Sequence, residues 1–477
     1  MKKIYGGKLS IANMYNLKFE YKKWAAKRPE RIDLYKSLAT LVIPIAIQNL
    51  IGSLVNSMDI LMLGYVGQDE LSAVSLANQY MFILWGFFFG INSAATLMNS
   101  QYWGKGDKKA IQAILGIAFK ISFCITAIVS VSCIFFPEKL MMLYTDDLTL
   151  IKIGTDYLKT IGISYVLMSF SQAYQCTLRS IEKATKSTVI STITLVLNVV
   201  LNATFIFGLF GAPKLGVIGV AIATTVSRVV EIIICIIDYL FGKEFKPSVK
   251  VLLSHHKVLM GDFIKYACPA LVNDLAWTLA FSSYSIILGH MNTDIVAASS
   301  VATTIRDLFT TVCFGLASGG TVIIGKELGC NNLNKAKNDS FTLTVMTVLL
   351  TACMGVLLVL IRHPLMGFFT LSERAYGYLN IMIIISGYYI IGQTFNTLMI
   401  GGIFRAGGNT KFGMICDIIT MWVVAVPIGF LSAFVFKLPP MVVYFILCLD
   451  EFWKIPVVIK YYKSGKWLNN ITREDVI

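Results

Sequence analysis

Asp59, Asn198, Asn202, Thr224, Asp274 and Asp417 each place a group capable of ion chemistry inside a run of otherwise apolar residues. Stranding such a group in hydrocarbon is expensive unless it faces protein or water, so these positions are candidate sites before anything else is known. Asp274 stands in PALVNDLAWTLAF, five residues after Pro269, and no Lys or Arg lies one turn away on its own segment. A cation site is favoured there over a hydrogen-bonded, protonated carboxyl at a helix interface. Asp59, in NSMDILMLGYVG, lies ten residues past Asn49, or about 15 Å further along a helix that rises 1.5 Å per residue. Its alternative is a boundary acid that snorkels to water. Asn198 and Asn202 are one helical turn apart, and Thr224 and Thr225 follow on the next segment. A carboxylate, two amides and a hydroxyl would give hard oxygen ligands suited to Na⁺, or a place for a proton. The sequence therefore leaves a Na⁺ or H⁺ site open at Asp274 or Asp59. Asp417 is a secondary candidate. Arg228 with Glu231, Arg306 with Asp307, and Asp450 and Glu451 with Lys454 are expected to form buried pairs, or gates that break between conformations.

The elements that must position these groups are membrane helices. The chain of 477 residues is 56% hydrophobic and 14% charged, with a mean hydropathy of +0.70; soluble domains carry about 25% charged residues. Apolar runs long enough to span fall at 37–63, 72–99, 110–136, 150–177, 187–209, 216–240, 259–288, 295–323, 339–361, 376–404, 412–436 and 440–461. Twelve spans, six per half, are predicted. Pro44, Pro269 and Pro427 fall inside them, where proline frees a carbonyl and permits a bend.

The halves are copies. Residues 44–104 align without a gap on 269–329 at an offset of 225, with 15 of 61 columns identical. The identities include Pro44/Pro269, Gly64/Gly289, Gly90/Gly315 and Gly104/Gly329, which a shared taste for Leu and Ile cannot produce. Such duplication is characteristic of alternating-access transporters. An even number of spans per repeat gives both halves the same topology. The odd-numbered loops hold only Lys139, Lys214, Arg362, Arg374 and Lys437, whereas most other basic residues lie in the termini and even-numbered loops. That bias predicts both termini in the cytoplasm of a multi-pass protein of the cell membrane. The expected organisation is a basic extension over 1–36, an N-lobe over 37–240, a linker over 241–258, a C-lobe over 259–465 and a tail over 466–477. The extension reads as a plain solvated arm, with an amphipathic stretch around Tyr21 to Trp24 as the alternative.

Several function classes are disfavoured. The net charge of +14 is sorted by loop, so it serves orientation and does not call for nucleic acid. No Walker loop is present, the ten cysteines have no CxxC spacing, and the four histidines lie in loops. The reading is a non-enzyme without cofactor.

DILMLGYVGQDELSAVSLA, the basic turns RSIEKATK and RAGGNTK, NVVLNATFIFGLFGAPKLGVIGVAIAT and PALVNDLAW resemble the signatures of the multidrug and toxic compound extrusion (MATE) transporters, over about residues 34 to 465. The resemblance implies an all-α membrane protein of twelve helices in two pseudo-symmetric six-helix bundles forming a V. It also implies export of small organic cations in exchange for Na⁺ or H⁺, by a monomer in the lipid bilayer. By motif, Asp59 matches the first-helix acid of the N-lobe cation site, Asn198 and Asn202 its fifth-helix partners, and Asp274 the seventh-helix acid of the C-lobe. Two departures stand out: Asn202 occupies a position where some branches carry Asp, and the tenth span offers Tyr388, Gln393 and Asn396 where others carry an acid. The alternative within transport is a lipid-linked precursor or polysaccharide flippase of the same superfamily, for which only Arg228, Lys265 and Arg306 are available as cavity cations. A channel or receptor is the alternative from another class.

Overall fold

The computed structural model describes residues 28–242, 248–369 and 371–474, so Tyr21 to Trp24 and part of the 241–258 linker lie outside the described residues. Every predicted span is a helix. In the N-terminal half these are α1 (Arg28–Val66), α2 (Gln68–Ala77 and Gln79–Lys105, stepped at Asn78), α3 (Lys108–Phe135), α4 (Leu148–Ser180), α5 (Ala184–Phe207) and α6 (Gly216–Phe241). The second half repeats them as α7 (Lys257–Gly289), α8 (Thr293–Gly329), α9 (Leu333–Leu360), α10 (Glu373–Asn396, continuing through Thr397–Phe404), α11 (Thr410–Ile418, continuing to Val435) and α12 (Pro440–Leu447 and Asp450–Lys463). Helices are the economical solution because hydrocarbon offers no partner for a free backbone N–H or C=O.

Ten of these helices are long and apolar enough to cross a bilayer by length and composition alone. The other two are α4, which carries Lys152, Asp156 and Lys159, and α12, which breaks at Cys448 and Leu449 just before Asp450, Glu451 and Lys454. The lobes also differ in helix type. Residues 397–404 of α10 are π-helical, as are 419–425 and 431–435 of α11, which flank Pro427; among the described residues no N-lobe helix has such a segment. Wide turns of this kind mark sites where a helix is interrupted for function.

Two of the four buried apolar clusters are crossed between lobes. Leu259, Phe263 and Tyr266 of α7 pack into a core built mainly from α2 to α6, and Leu34, Leu38, Leu41, Val42 and Ile45 of α1 pack into a core built mainly from α8 to α12. At the opposite end, each cluster belongs to one lobe. The two bundles are therefore joined on the side that carries the C-terminal tail and separate toward the other, giving a V.

The repeat glycines make this junction. A Cβ at Gly104 would fall on the backbone of Lys326, and one at Gly329 on the backbone of Gln101. Gln101 and Lys326 are themselves 225 residues apart, so α2 and α8 cross about a pseudo-twofold axis with backbones in contact. Small residues allow that approach in a membrane, where exclusion from water does not drive helices together.

Polar contacts seal the junction. Lys326 Nζ meets Glu182 Oε2 at 2.6 Å, and Trp103 Nε1 donates to the same oxygen at 3.2 Å. Gln101 Nε2 donates to the Ala406 carbonyl at 2.7 Å and to that of Asn469 at 3.0 Å, while its Oε1 accepts from Ile471 N at 2.8 Å. Arg473 grips Asp262 with two bonds of 2.8 Å, and its carbonyl accepts from Lys105 Nζ at 2.6 Å. The tail thus ties α2 of one lobe to α7 and the α10–α11 turn of the other.

Candidate functional site

In the N-lobe the sequence-predicted residues converge. Asn198 and Asn202 share one face of α5; Asn202 is fully buried and Asn198 nearly so. Asn202 Nδ2 donates to Asp59 Oδ1 at 2.7 Å and also reaches Asn198 Oδ1 at 3.3 Å. Asn198 Nδ2 donates to Thr224 Oγ1 at 3.2 Å. Helices α1, α5 and α6 thereby bring a carboxylate, two amides and a hydroxyl into one chain of contacts. Asn202 Oδ1 is buried and has no partner. Leaving a buried amide oxygen unpaired costs about 1–3 kcal/mol, and an open acceptor beside a carboxylate is chemically suited to a small hard cation. Thr225 is not part of the cluster: its hydroxyl donates to the Ala221 carbonyl at 2.8 Å. Among the described residues no group of three His, Cys, Asp or Glu could hold a transition metal. The donor set is one carboxylate with neutral oxygens.

The C-lobe is organised differently. Asp274 faces an arginine that its own helix does not supply: Arg405, at the end of α10, places Nη2 4.0 Å from Asp274 Oδ1. That contact is an ion pair too long for a hydrogen bond, and Asp274 Oδ2 is buried without a partner. Arg405 opens the basic turn RAGGNTK. Its long side chain reaches back along the helix to the acid.

Asp417 is engaged elsewhere. It accepts the ammonium of Lys454 at 2.8 Å, and Lys454 also meets Glu451 Oε1 at 3.2 Å. Asn396 Nδ2 donates to the Glu451 carboxylate at 2.8 Å and to its carbonyl at 2.6 Å. Glu451 N donates to Asp450 Oδ1 at 2.8 Å, and Tyr284 OH to Asp450 Oδ2 at 3.1 Å. Asp417, Asp450, Glu451 and Lys454 are all buried. They form a network across α7, α10, α11 and α12 in which Lys454 is a built-in counter-ion.

Tyr284 is the repeat partner of Asp59 at the 225-residue offset. Both lobes therefore carry a polar cluster at the same depth, oxygen-rich and open in one, lysine-filled in the other. The interruption of an apolar span by DEFWK was the available signal for the second cluster; its partners Asp417, Asn396 and Tyr284 come from three other helices.

The remaining pairs fall as expected or nearly so. Arg228 Nη1 meets Glu231 Oε2 at 2.5 Å, and Gln175 Nε2 donates to Glu231 Oε1 at 2.5 Å. Arg306 lies 3.8 Å from Asp307, but its guanidinium is also held over the rings of Tyr389 at 5.3 Å and Phe281 at 5.7 Å. In the tenth span Tyr388 packs on Phe445 and Phe452, and Gln393 Oε1 is buried without a partner beside Thr310 and Thr394.

Comparison with known proteins agrees with this architecture. The MatE family model matches residues 44–204 and 269–431, one match per half. The chain is 26% identical to "Uncharacterized transporter YisQ" of Bacillus subtilis over 94% of its length and 98% of that protein. It is 22% identical to "Probable multidrug resistance protein NorM" of Thermotoga maritima, over 93% and 96%. Among solved structures, "Crystal structure of MATE in the straight conformation" superposes with a TM-score of 0.81 at 16% identity, covering 90% of this chain and 96% of that one. "Outward-facing conformation of a multidrug resistance MATE family transporter of the MOP superfamily" gives a TM-score of 0.80 at 18% identity, covering 90% and 95%.

Proposed function

The chain belongs to the MatE family, whose members are transporters and not enzymes, and from that premise we propose that it is a secondary multidrug antiporter exporting organic cations in exchange for an inward-moving cation. The observation that carries the proposal is the Asp59–Asn202–Asn198–Thr224 cluster with its orphaned Asn202 Oδ1. One carboxylate and three neutral oxygens balance a monovalent ion and suit Na⁺; a proton would use Asp59 alone. Asp274 is the acid proposed to meet the organic cation, because its Oδ2 is unpartnered and Arg405 holds only the other oxygen, loosely. Multidrug resistance proteins among the relatives support this substrate class.

The junction at Gly104 and Gly329 closes the tail side, which the distribution of basic loops makes cytoplasmic, so the described state faces outward. An ion entering the N-lobe would replace the Asn202 amide at Asp59, neutralise the acid and let α1 and α5 repack. Since α1 also packs into the C-lobe core, that repacking reaches the junction. The work is available: one charge moving down 100 mV yields about 2.3 kcal/mol. The flippase alternative needs gathered cavity cations, and the three candidates are dispersed: Arg228 is bonded to Glu231, Arg306 is held over two rings, and Lys265 lies on the tail side.

Proteoliposomes loaded with ethidium test the reading. An inward Na⁺ gradient should drive efflux in the wild type, and Asp59→Asn should abolish the dependence on Na⁺. Wild-type Na⁺-driven rates in Asp59→Asn would refute the assignment.

A further inference from the structure

A cavity of about 340 Å³ opens on the tail side of the C-lobe, lined among others by Lys265 of α7, Asn409, Thr410 and Lys411 at the start of α11, and Asn469 and Ile471 of the tail. The space equals that of on the order of ten waters at about 30 Å³ each. Four observations give it a sign. No side chain caps the first turn of α11, so the leading N–H groups of that helix and its dipole face the cavity rim. Thr410 is only 6% exposed, and its Oγ1 has no hydrogen-bond partner. Among the described residues neither Lys265 nor Lys411 has an acceptor within bonding distance, and Lys265 lies 5.6 Å over the ring of Tyr266. Among the described residues no carboxylate lines the cavity.

Other lysines on this face are engaged: Lys326 with Glu182, Lys335 with Glu327, Lys105 with the Arg473 carbonyl, and Lys120 with two carbonyls. The repeated turn in the N-lobe is closed in the same way. Thr185 and Lys186 stand 225 residues before Thr410 and Lys411, and there Lys186 is bonded to Asp238 Oδ1 at 2.9 Å. The C-lobe copy has kept the basic turn without that carboxylate.

We propose that this cavity binds a phosphate-bearing anion, held by Lys265 and Lys411, the hydroxyl of Thr410 and the first N–H groups of α11. Because Asn469 and Ile471 wall the cavity while also bonding Gln101 of the N-lobe, its occupant holds the tail in its docked place. The anion reaches it either as a phospholipid headgroup or as free phosphate; the chemistry of recognition is the same. The inference does not depend on what is transported.

The test uses the purified full-length protein in detergent, with the thermal unfolding midpoint followed during titration. One arm adds inorganic phosphate and the other phosphatidylglycerol, with phosphatidylcholine as reference. Saturable stabilisation in either arm is expected, and the arm that responds names the source. A basic residue near an anionic headgroup contributes about fivefold in affinity, so Lys265→Gln with Lys411→Gln should weaken binding by about 25-fold. Thr410→Val should weaken it by less, and Lys139→Gln with Lys152→Gln, away from the cavity, should not change it. The proposal is overturned if neither probe stabilises the wild type, if the Lys265/Lys411 variant titrates like the wild type, or if the Lys139/Lys152 control loses as much.

Discussion

Replacing Gly104 with alanine should open the tail side of the transporter without unfolding it. The added Cβ would lie on the Lys326 peptide, 2.9 Å from its carbonyl carbon and 3.0 Å from its Cα. These are backbone atoms of a packed helix, so no side-chain rotation can make room. Overpacking of this kind costs roughly 1–3 kcal/mol. The penalty exists only while α2 and α8 are in contact, so it falls on the tail-closed state and shifts the closed-to-open ratio by about 5- to 150-fold. Spin labels at the exposed positions Lys109 and Asn334, on either side of the junction, would report it by double electron–electron resonance as a longer-distance population. Gly52→Ala is the matched control, because nothing lies within 4 Å of a Cβ there. Distance distributions for Gly104→Ala that match both the wild type and Gly52→Ala would refute the idea that the repeat glycines close the gate.

Three further outcomes follow from the same contacts. Lys454→Met strands Asp417 and Glu451 without their buried cation and should lower stability by about 3–5 kcal/mol in chemical denaturation; adding Asp417→Asn should recover part of that loss, and equal stability of the single variant and wild type would contradict it. Gln101→Leu leaves the Ala406 carbonyl and Ile471 amide unpaired, which should cost the docked tail about 1–3 kcal/mol and show as faster hydrogen exchange over residues 467–473. Under the proposed Na⁺ coupling, Asn202→Ala keeps the Asp59 charge but removes its amide and the orphan oxygen, so the Na⁺ concentration for half-maximal efflux should rise at least tenfold while a saturating gradient still drives transport; an unchanged half-maximal concentration would contradict it.

Features set by local spacing are legible in the amino-acid sequence. Twelve apolar runs became twelve helices, and an i, i+4 pair of asparagines pointed both side chains at one place, because helix geometry alone decides that spacing. The Arg228–Glu231 pair was legible for the same reason. Arg405 beside Asp274 was not, since the two are separated by more than a hundred residues and meet only because α7 and the end of α10 both pack against α11. The crossed docking of α1 and α7, each into the core of the other lobe, has no signature in hydropathy either, because a lipid-facing and a lobe-facing leucine look alike.

By itself the amino-acid sequence determined that this is a duplicated, twelve-helix membrane protein with carboxylates in its spans. The bilayer allows few solutions for an apolar chain, and a repeat preserves its glycines. The tertiary structure alone decided which carboxylates are spoken for. Asp417 is neutralised by Lys454, Asp274 is half-held by Arg405, and Asp59 shares its amide partners with an acceptor left open. Those differences arise between helices, where the energy of a charge depends on its neighbours in space and not on its neighbours along the chain.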